Sequence, residues 1–402
     1  MSDKSFLAWP FFDDGHRRLA TEMEDWARQS LRSLLDGSEE SGDAVYACVR
    51  AIVGELGKAG LLRVCIPRGY GGARDNLDVR SLCLAREIMS RYSGLADFAL
   101  AMQGLGSAPI SLYGTESQKR SLLPQVAAGS ALAAFALSEP DAGSDVGAIS
   151  TSASRDGGFW RLDGLKTWIS NAGLAAFYVV FARTGEGPGT KGLSAFIVDA
   201  NSPGLDASER IEVIAPHPLG TLRLNGCRVS SDCLLGQPGE GFKIAMATLD
   251  IFRTTVGAAA LGFARRAMDE AVDRVRCRRM FGRAQAEFQL TQEKLAEMAV
   301  SIDAAALMIY RSAWTKDVTA GRVTREASMA KLFATETAQQ VIDAAVQMYG
   351  GLGVVRGVTV ERLYREIRAL RIYEGASEVL KLIIGSKVLE ASEGERAARP
   401  NA

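Results

Sequence analysis

The hydrophobic spacing of this 402-residue chain changes period twice, and that change constrains the fold more than any single residue does. From about Gly15 to Ala128, apolar residues recur at three- and four-residue steps, as in Leu19, Met23, Trp26 and Ala27 and again in Val45, Val49, Val53 and Leu56. That is the period of an amphipathic helix. Pro67-Arg68-Gly69-Tyr70-Gly71-Gly72 interrupts it as a turn-rich loop. From about Ala131 to Ser230 the texture is that of strands. Ala133-Phe135-Leu137 alternates, Phe159-Trp160-Arg161-Leu162 and Thr167-Trp168-Ile169-Ser170 follow, and Asp156-Gly157-Gly158 is a hairpin signal. Phe177 to Phe181 and Leu193 to Val198 read as buried strands. From about Gly239 to Leu389 helical texture returns in longer stretches, Phe242 to Val275, Gln289 to Trp314 and Thr324 to Tyr349, apolar on more than one stripe.

The spacing therefore predicts an α+β multidomain protein, since a single core rarely grows beyond roughly 250–300 residues. Residues 1–130 are expected to be an all-α domain, 131–238 a small β-barrel or sandwich, 239–390 a helical bundle, and 391–402 a flexible polar tail. Lys plus Arg and Asp plus Glu balance at 47 each, which argues against electrostatic capture of nucleic acid or a membrane surface. A local basic run, Arg276, Arg278, Arg279 and Arg283, reads at this level as a solvated helix face. The six cysteines, Cys48, Cys65, Cys83, Cys227, Cys233 and Cys277, form no C-x-x-C pair, and with only His16 and His217 no metal site of the usual zinc spacing is expected. Met1 to Phe12 lacks a basic region followed by an apolar stretch, and no apolar run is read as reaching the roughly 18 residues of a membrane span. The expectation is a cytoplasmic protein with reduced thiols.

Two segments carry candidate chemistry. Glu374, in Arg371-Ile372-Tyr373-Glu374-Gly375-Ala376-Ser377-Glu378, follows a helix-like approach and precedes a glycine that lets the chain turn. A carboxylate in a partly dry pocket is a suitable base for a carbon acid, although a solvated helix-end Glu fits the same letters. Ala136 to Asp145 closes a strand and opens a glycine-containing loop. Such a loop either offers backbone N–H groups and hydroxyls to a ligand or is a turn capped by Ser and Asp.

At these residues the chain resembles the acyl-CoA dehydrogenase family. Ala136 through Ala148 resembles its first signature at every defined position, and Lys166-Thr167-Trp168-Ile169-Ser170-Asn171 its flavin-contacting strand. Arg278-Arg279-Met280-Phe281-Gly282 with Phe288-Gln289 resembles the R-x-x-F-G…Q segment. Gln347 to Gly353 and Tyr373-Glu374-Gly375 resemble the C-terminal signature and the catalytic loop, and order and spacing agree from about residue 14 to 389.

The resemblance implies an FAD enzyme with an α-helical domain, a middle β-domain and a C-terminal four-helix bundle, a homotetramer or a dimer. It implies that Phe135, Leu137 and Ser138 line the flavin, with Trp168 packed on the ring and Ser170 bonded to it. An indole suits that task because it stacks and excludes water. Arg278, Phe281 and Gln289 would reach FAD held by a neighbouring subunit, and Gln347, Gly350 and Gly351 its adenosine and pyrophosphate; Ala376 and Glu378 complete the cofactor set. Asp250, Arg253, Ser144, Tyr373 and Gly375 would meet the acyl-CoA. In isolation Asp250 and Arg253 read as an i,i+3 helix ion pair, Trp168 as a core residue, and Gly350-Gly351 as a helix C-cap. Asp97 and Gln103 fall where the family lines its acyl pocket, or else face solvent or a subunit.

Departures from the pattern are His217-Pro218-Leu219-Gly220 in place of a Gly-x-Arg-x-Ser stretch, Gly357 for an acidic residue, Ala376 for Thr and Leu380 for Gln. The first bears on substrate recognition. The reaction implied is α,β-dehydrogenation of an acyl-CoA thioester to the trans-2-enoyl-CoA, with Glu374 taking the Cα proton and Cβ giving hydride to flavin N5. Electron-transfer flavoprotein is the expected acceptor. The alternatives are a dehydrogenase of an acyl-carrier-protein thioester, an acyl-CoA oxidase, and a non-catalytic flavin-bound binding protein.

Overall fold

The computed structural model describes residues 4–35 and 42–397. The first helical region contains α1 (Asp14–Leu35), α2 (Asp43–Lys58), α3 (Val79–Tyr92), α4 (Gly94–Tyr113) and α5 (Glu116–Ala127). The strand region contains β1 (Ala133–Ala136), β2 (Ser152–Asp156), β3 (Phe159–Ser170), β4 (Phe177–Arg183), β5 (Leu193–Asp199), β6 (Leu205–Asp206), β7 (Leu219–Ser230) and β8 (Leu234–Leu235). Then come α6 (Gly241–Cys277), the short hairpin β9 (Arg279–Met280) and β10 (Arg283–Ala284), α7 (Gln289–Thr319), α8 (Thr324–Tyr349), α9 (Thr359–Leu370) and α10 (Ser377–Ala397). The helix–sheet–helix order is the one the hydrophobic period predicts, and the bounds of α8 coincide with the predicted stretch.

The chain forms two compact units that cut across those textures: Met23–Asp78 with Leu95–Leu249, and Met1–Glu22 with Val79–Gly94 and Asp250–Ala402. In the first, the eight strands β1 to β8 share one sheet, ordered β6-β7-β3-β2-β4-β5-β8, with β1 pairing β4 in parallel. Gly157 at φ 59° makes the tight turn between β2 and β3, where Asp156 faces Phe159. The core on this sheet gathers Trp160, Leu162, Ile169, Tyr178, Val180, Phe196, Val198 and Leu222. Gln103, on α4, is fully buried: its amide donates to Ala131 O (2.9 Å) and accepts from Ala133 N (3.1 Å). It braces the entry to β1, and its burial removes the solvent or subunit alternative for it. Asp97 is buried as well.

In the second unit, α3 packs on α7, and α8 packs on α7, α9 and α10. Asp317 near the end of α7 accepts from Val79 N (2.8 Å) and Arg80 N (3.1 Å) and pairs with Arg80 Nε (2.8 Å), so a carboxylate caps the start of α3. Phe6 and Phe12, in a segment read from sequence only for what it lacks, pack on the Tyr310 ring at 5.6 and 4.8 Å. The expected loose tail is corrected too. Ala391 to Ala397 continue α10, and the remainder lies outside the described residues. One 18-residue window in α6 is apolar enough to cross a membrane, contrary to the reading from sequence, but 89% of it is buried within the protein, as in a core helix.

Candidate active site

Glu374 lies in the short connection between α9 and α10. Its φ of 54° is left-handed, a conformation non-glycine residues adopt at a cost of about 1–3 kcal/mol, and it is followed by Gly375 at 106°. Such strain persists only where neighbours over-determine it. The Tyr373 N–H donates to Ala369 O (3.1 Å), closing α9, and the Leu380 N–H donates to Ala376 O (3.0 Å), opening α10. Arg253 Nε donates to the Glu374 carbonyl (3.2 Å), and Lys331 Nζ donates to the next carbonyl, that of Gly375 (2.7 Å). Glu336 anchors the same loop: Arg371 bonds it through Nε (3.0 Å) and Nη2 (2.8 Å), and the Ser377 hydroxyl donates to it. Burial opposes the charge on Glu336, yet Ser377 and Arg371 hold its pKa below the ordinary value.

Asp250 and Arg253 do not form the i,i+3 pair that their spacing allows. The buried Asp250 carboxylate instead meets the Arg322 guanidinium and the Thr324 hydroxyl (3.0 and 3.1 Å). Arg253 is thereby left to the Glu374 loop. Burial pushes its pKa down, with the charges of Asp250 and Glu374 opposing. Lys331, Arg322, Thr324 and Glu336 were not singled out from sequence. A visible signal existed for Lys331: on α8 it shares the buried stripe of Ala327, Ala334 and Ala338, where a lysine has no packing reason to be.

The sheet unit presents a second strained residue. The β3–β7 register shifts between Lys166 and Ile169, and within that bulge Trp168 has φ 58° and is 58% exposed. A core tryptophan would be neither. Ser138 O accepts from Thr167 N (3.0 Å), and Asn171, itself at φ 62°, donates from Nδ2 to Ala133 O (3.0 Å). Beneath them Lys166 Nζ donates to Leu137 O (3.0 Å) and to Glu139 (2.8 Å). Glu139 also accepts from Ser150 N, Ser150 Oγ and Thr151 N at 2.7, 2.8 and 3.0 Å. Burial would raise the Glu139 pKa, but Lys166 and these donors hold it at about 2. The structure thus gathers Leu137, Ser138 and Trp168. Phe135 packs on Phe181 (4.9 Å), Ser170 is half-buried at the end of β3, and Ser144 is exposed.

Arg278, Phe281 and Gln289 stand exposed around the β9–β10 hairpin, Phe281 at 88%. Gln285 Nε2 donates to Met348 O (3.2 Å), joining this arm to the end of α8 beside Gln347. Gly350 ends α8 at φ 62°, and at Gly350 and Gly351 a Cβ would meet nothing within 4 Å, so the backbone there is open to close approach. Tyr373 is 37% exposed, Glu378 is exposed in the first turn of α10, and Ala376 is half-buried between them. Among the described residues no three potential metal ligands come together.

Residues 13–130, 134–227 and 239–389 match in turn the N-terminal, middle and C-terminal domain models of acyl-CoA dehydrogenase. The chain belongs to the acyl-CoA dehydrogenase family. It is 37% identical over 381 residues to the mitochondrial short-chain specific acyl-CoA dehydrogenase of Homo sapiens, covering 94% of this chain and 90% of the relative. It is 35% identical over 392 residues to the caffeyl-CoA reductase-Etf complex subunit CarC of Acetobacterium woodii, covering 94% and 100%. The solved butyryl-CoA dehydrogenase of Megasphaera elsdenii superposes with a TM-score of 0.88 at 31% identity, covering 94% of this chain and 99% of that one. The acyl-CoA dehydrogenases are FAD-dependent oxidoreductases, and this member is one. Its residues fit the cofactor: an indole held out on a strained bulge beside two serines suits a flat apolar ring with polar edges, and the open Gly350-Gly351 backbone suits a pyrophosphate.

Proposed function

We propose that this enzyme dehydrogenates an acyl-CoA thioester between Cα and Cβ, with Glu374 as the base that removes the Cα proton. The observation that carries this reading is the strained Glu374, whose own carbonyl and the next are each bonded to a buried cation. Bound FAD supplies the acceptor for the hydrogen and electron pair leaving Cβ. Ser138, Ser170 and Trp168, with Phe135 and Leu137, hold and shield its ring. Arg278, Phe281 and Gln289 serve FAD held by another copy, Gln347, Gly350 and Gly351 approach its adenosine and pyrophosphate, and Ala376 and Glu378 complete the cofactor set. The Glu374 backbone N–H bonds the thioester oxygen as the enolate develops, an effect typically worth a few kcal/mol. Tyr373, Gly375 and Ser144 meet the acyl-CoA, while the buried Arg253 holds the Glu374 loop and the buried Asp250 is engaged by Arg322 and Thr324.

The assembly proposed is a homotetramer. Phe281 at 88% exposure and Leu290 at 72% are large apolar groups that a subunit interface would cover. Electron-transfer flavoprotein is the proposed acceptor, supported by the Etf complex to which the Acetobacterium woodii relative belongs. A cytoplasmic location is proposed on the six cysteines, all of which are thiols. That reductase relative also supports a second reading, in which the same residues work in reverse on an enoyl thioester.

Glu374→Gln tests the assignment, because the amide keeps the shape and cannot accept the proton. Anaerobic bleaching of the flavin by butyryl-CoA is expected to slow by about 10²–10⁴-fold. Bleaching at the wild-type rate would mean that Glu374 is not the base.

A further inference from the structure

We propose that Lys331 is a positioning residue for the base: with Arg253 it clamps two successive loop carbonyls, fixing the Glu374 side chain and biasing its carboxylate toward the charged form. The inference rests on the reading of Glu374 as the base.

The argument begins with what a lysine costs in this place. Lys331 is fully buried among small side chains of α8, and an ammonium taken from water needs strong compensation. Its hydrogen bond runs to the Gly375 carbonyl at 2.7 Å, while Arg253 holds the Glu374 carbonyl at 3.2 Å. The two carbonyls belong to the peptide groups on either side of Gly375, so the two bonds fix the turn at that glycine (φ 106°) and hold the peptide group that follows the left-handed Glu374.

The surrounding charges show which groups are left to act on Glu374. From α6 come Asp250 and Arg253, from the segment ahead of α8 Arg322, from α8 itself Glu336, from the base's own loop Arg371, and from α10 Lys381 beside Glu336. Asp250 is taken up by Arg322 and Thr324, and Glu336 by Arg371 and Ser377. Lys331 and Arg253 give their hydrogen bonds to loop carbonyls and keep their positive charge next to the base. Burial pushes the Lys331 pKa down to about 8, and the Glu374 charge opposes that shift.

The experiment compares Lys331→Met, Lys331→Arg and Glu374→Gln with the wild-type holoenzyme. It reads anaerobic flavin bleaching by butyryl-CoA across pH and the thermal midpoint of each protein. The rate rises with pH as the base ionises. Deleting a nearby positive charge destabilises the carboxylate and moves that rise to higher pH. Lys331→Met is expected to bleach about 10²-fold more slowly at neutral pH, with the midpoint of the rise higher by roughly one unit. Lys331→Arg keeps the charge and is expected to keep the wild-type midpoint. A wild-type rate and midpoint in Lys331→Met would overturn the proposal. So would equal rate losses in the Met and Arg variants at an unmoved midpoint, which is what a purely structural role predicts. Should Lys331→Met not fold, Lys331→Gln, which keeps a donor for the Gly375 carbonyl but no charge, carries the same test, and an unmoved midpoint there overturns the proposal. If Glu374→Gln bleaches normally the base assignment itself fails. If Glu374→Gln is inert while Lys331→Met is normal, only the positioning role fails.

Discussion

Lys166 in the sheet and Lys331 in α8 are both fully buried, and burial pushes both down to about 8. Each lies behind a non-glycine residue in left-handed backbone, Trp168 in one case and Glu374 in the other. Their partners differ. Lys166 closes an ion pair with Glu139 at 2.8 Å, and Glu139 spends its remaining acceptor capacity on Ser150 and Thr151. Lys331 bonds a neutral carbonyl and keeps its charge for Glu374, the proposed base. The same residue type under the same burial is a brace where its charge is cancelled and a tuning device where it is not. The distinction follows from the partner, not from depth.

The largest effect separating the two is on stability. Lys166→Met would leave the Glu139 carboxylate buried without its counter-ion and the Leu137 carbonyl without its donor. Removing one member of a buried pair typically costs about 3–5 kcal/mol. Denaturant unfolding of the apoprotein should show a loss of that size for Lys166→Met and a smaller one for Lys331→Met, where no direct ion pair is broken. Equal losses would erase the distinction.

A smaller, pH-dependent effect sharpens the comparison from the anionic side. Glu139 has a folded pKa of about 2 against an ordinary 4.5. A depressed carboxylate stabilises the fold fully above its unfolded pKa, and that stability is lost as pH falls through the folded value. Unfolding measured from pH 5 downward should therefore show stability falling between about 4.5 and 2 in the wild type. Glu139→Gln should start lower and vary less with pH over that window. An identical acid dependence in the two proteins would place the acid-sensitive carboxylate elsewhere.

Much of this architecture was legible in the sequence, and the limits of legibility have a physical pattern. The change of period along the chain announced the helix–sheet–helix order, because side-chain spacing and secondary structure share one geometry. Glu374, Asp250 and Arg253 were nameable because family signatures contain them. Their partners were not, since Arg322 comes to Asp250 across 72 residues of sequence and Lys331 to Gly375 across 44. Spacing reports only what a single element brings together, which is why the i,i+3 reading of Asp250 and Arg253 was available and the actual contacts were not. The partners of Gln103 were illegible for a related reason: it satisfies the backbone groups of residues 131 and 133, about 30 positions away in sequence. The lysine on the buried stripe of α8 was the one clue that periodicity did offer, since a charge on a core face calls for an explanation.

The smallest expected stability change belongs to Trp168, and it separates a residue that is braced from the residues that brace it. Its side chain is 58% exposed, so deleting the indole removes little buried area. Its φ of 58° is imposed from outside the side chain, by the Ser138–Thr167 hydrogen bond, the Asn171 contacts and the Lys166–Glu139 pair. Trp168→Ala should therefore shift apoprotein stability by no more than about 0.5 kcal/mol, the usual range for a surface substitution. Loss of the stacking surface should weaken FAD retention, by up to about tenfold for a ring contact worth roughly 0.5–1.5 kcal/mol. Unfolding of the apoprotein and titration of it with FAD read the two quantities separately. A large loss of apoprotein stability with unchanged FAD affinity would make Trp168 part of the sheet's packing, and the bulge a structural feature rather than a platform for the cofactor.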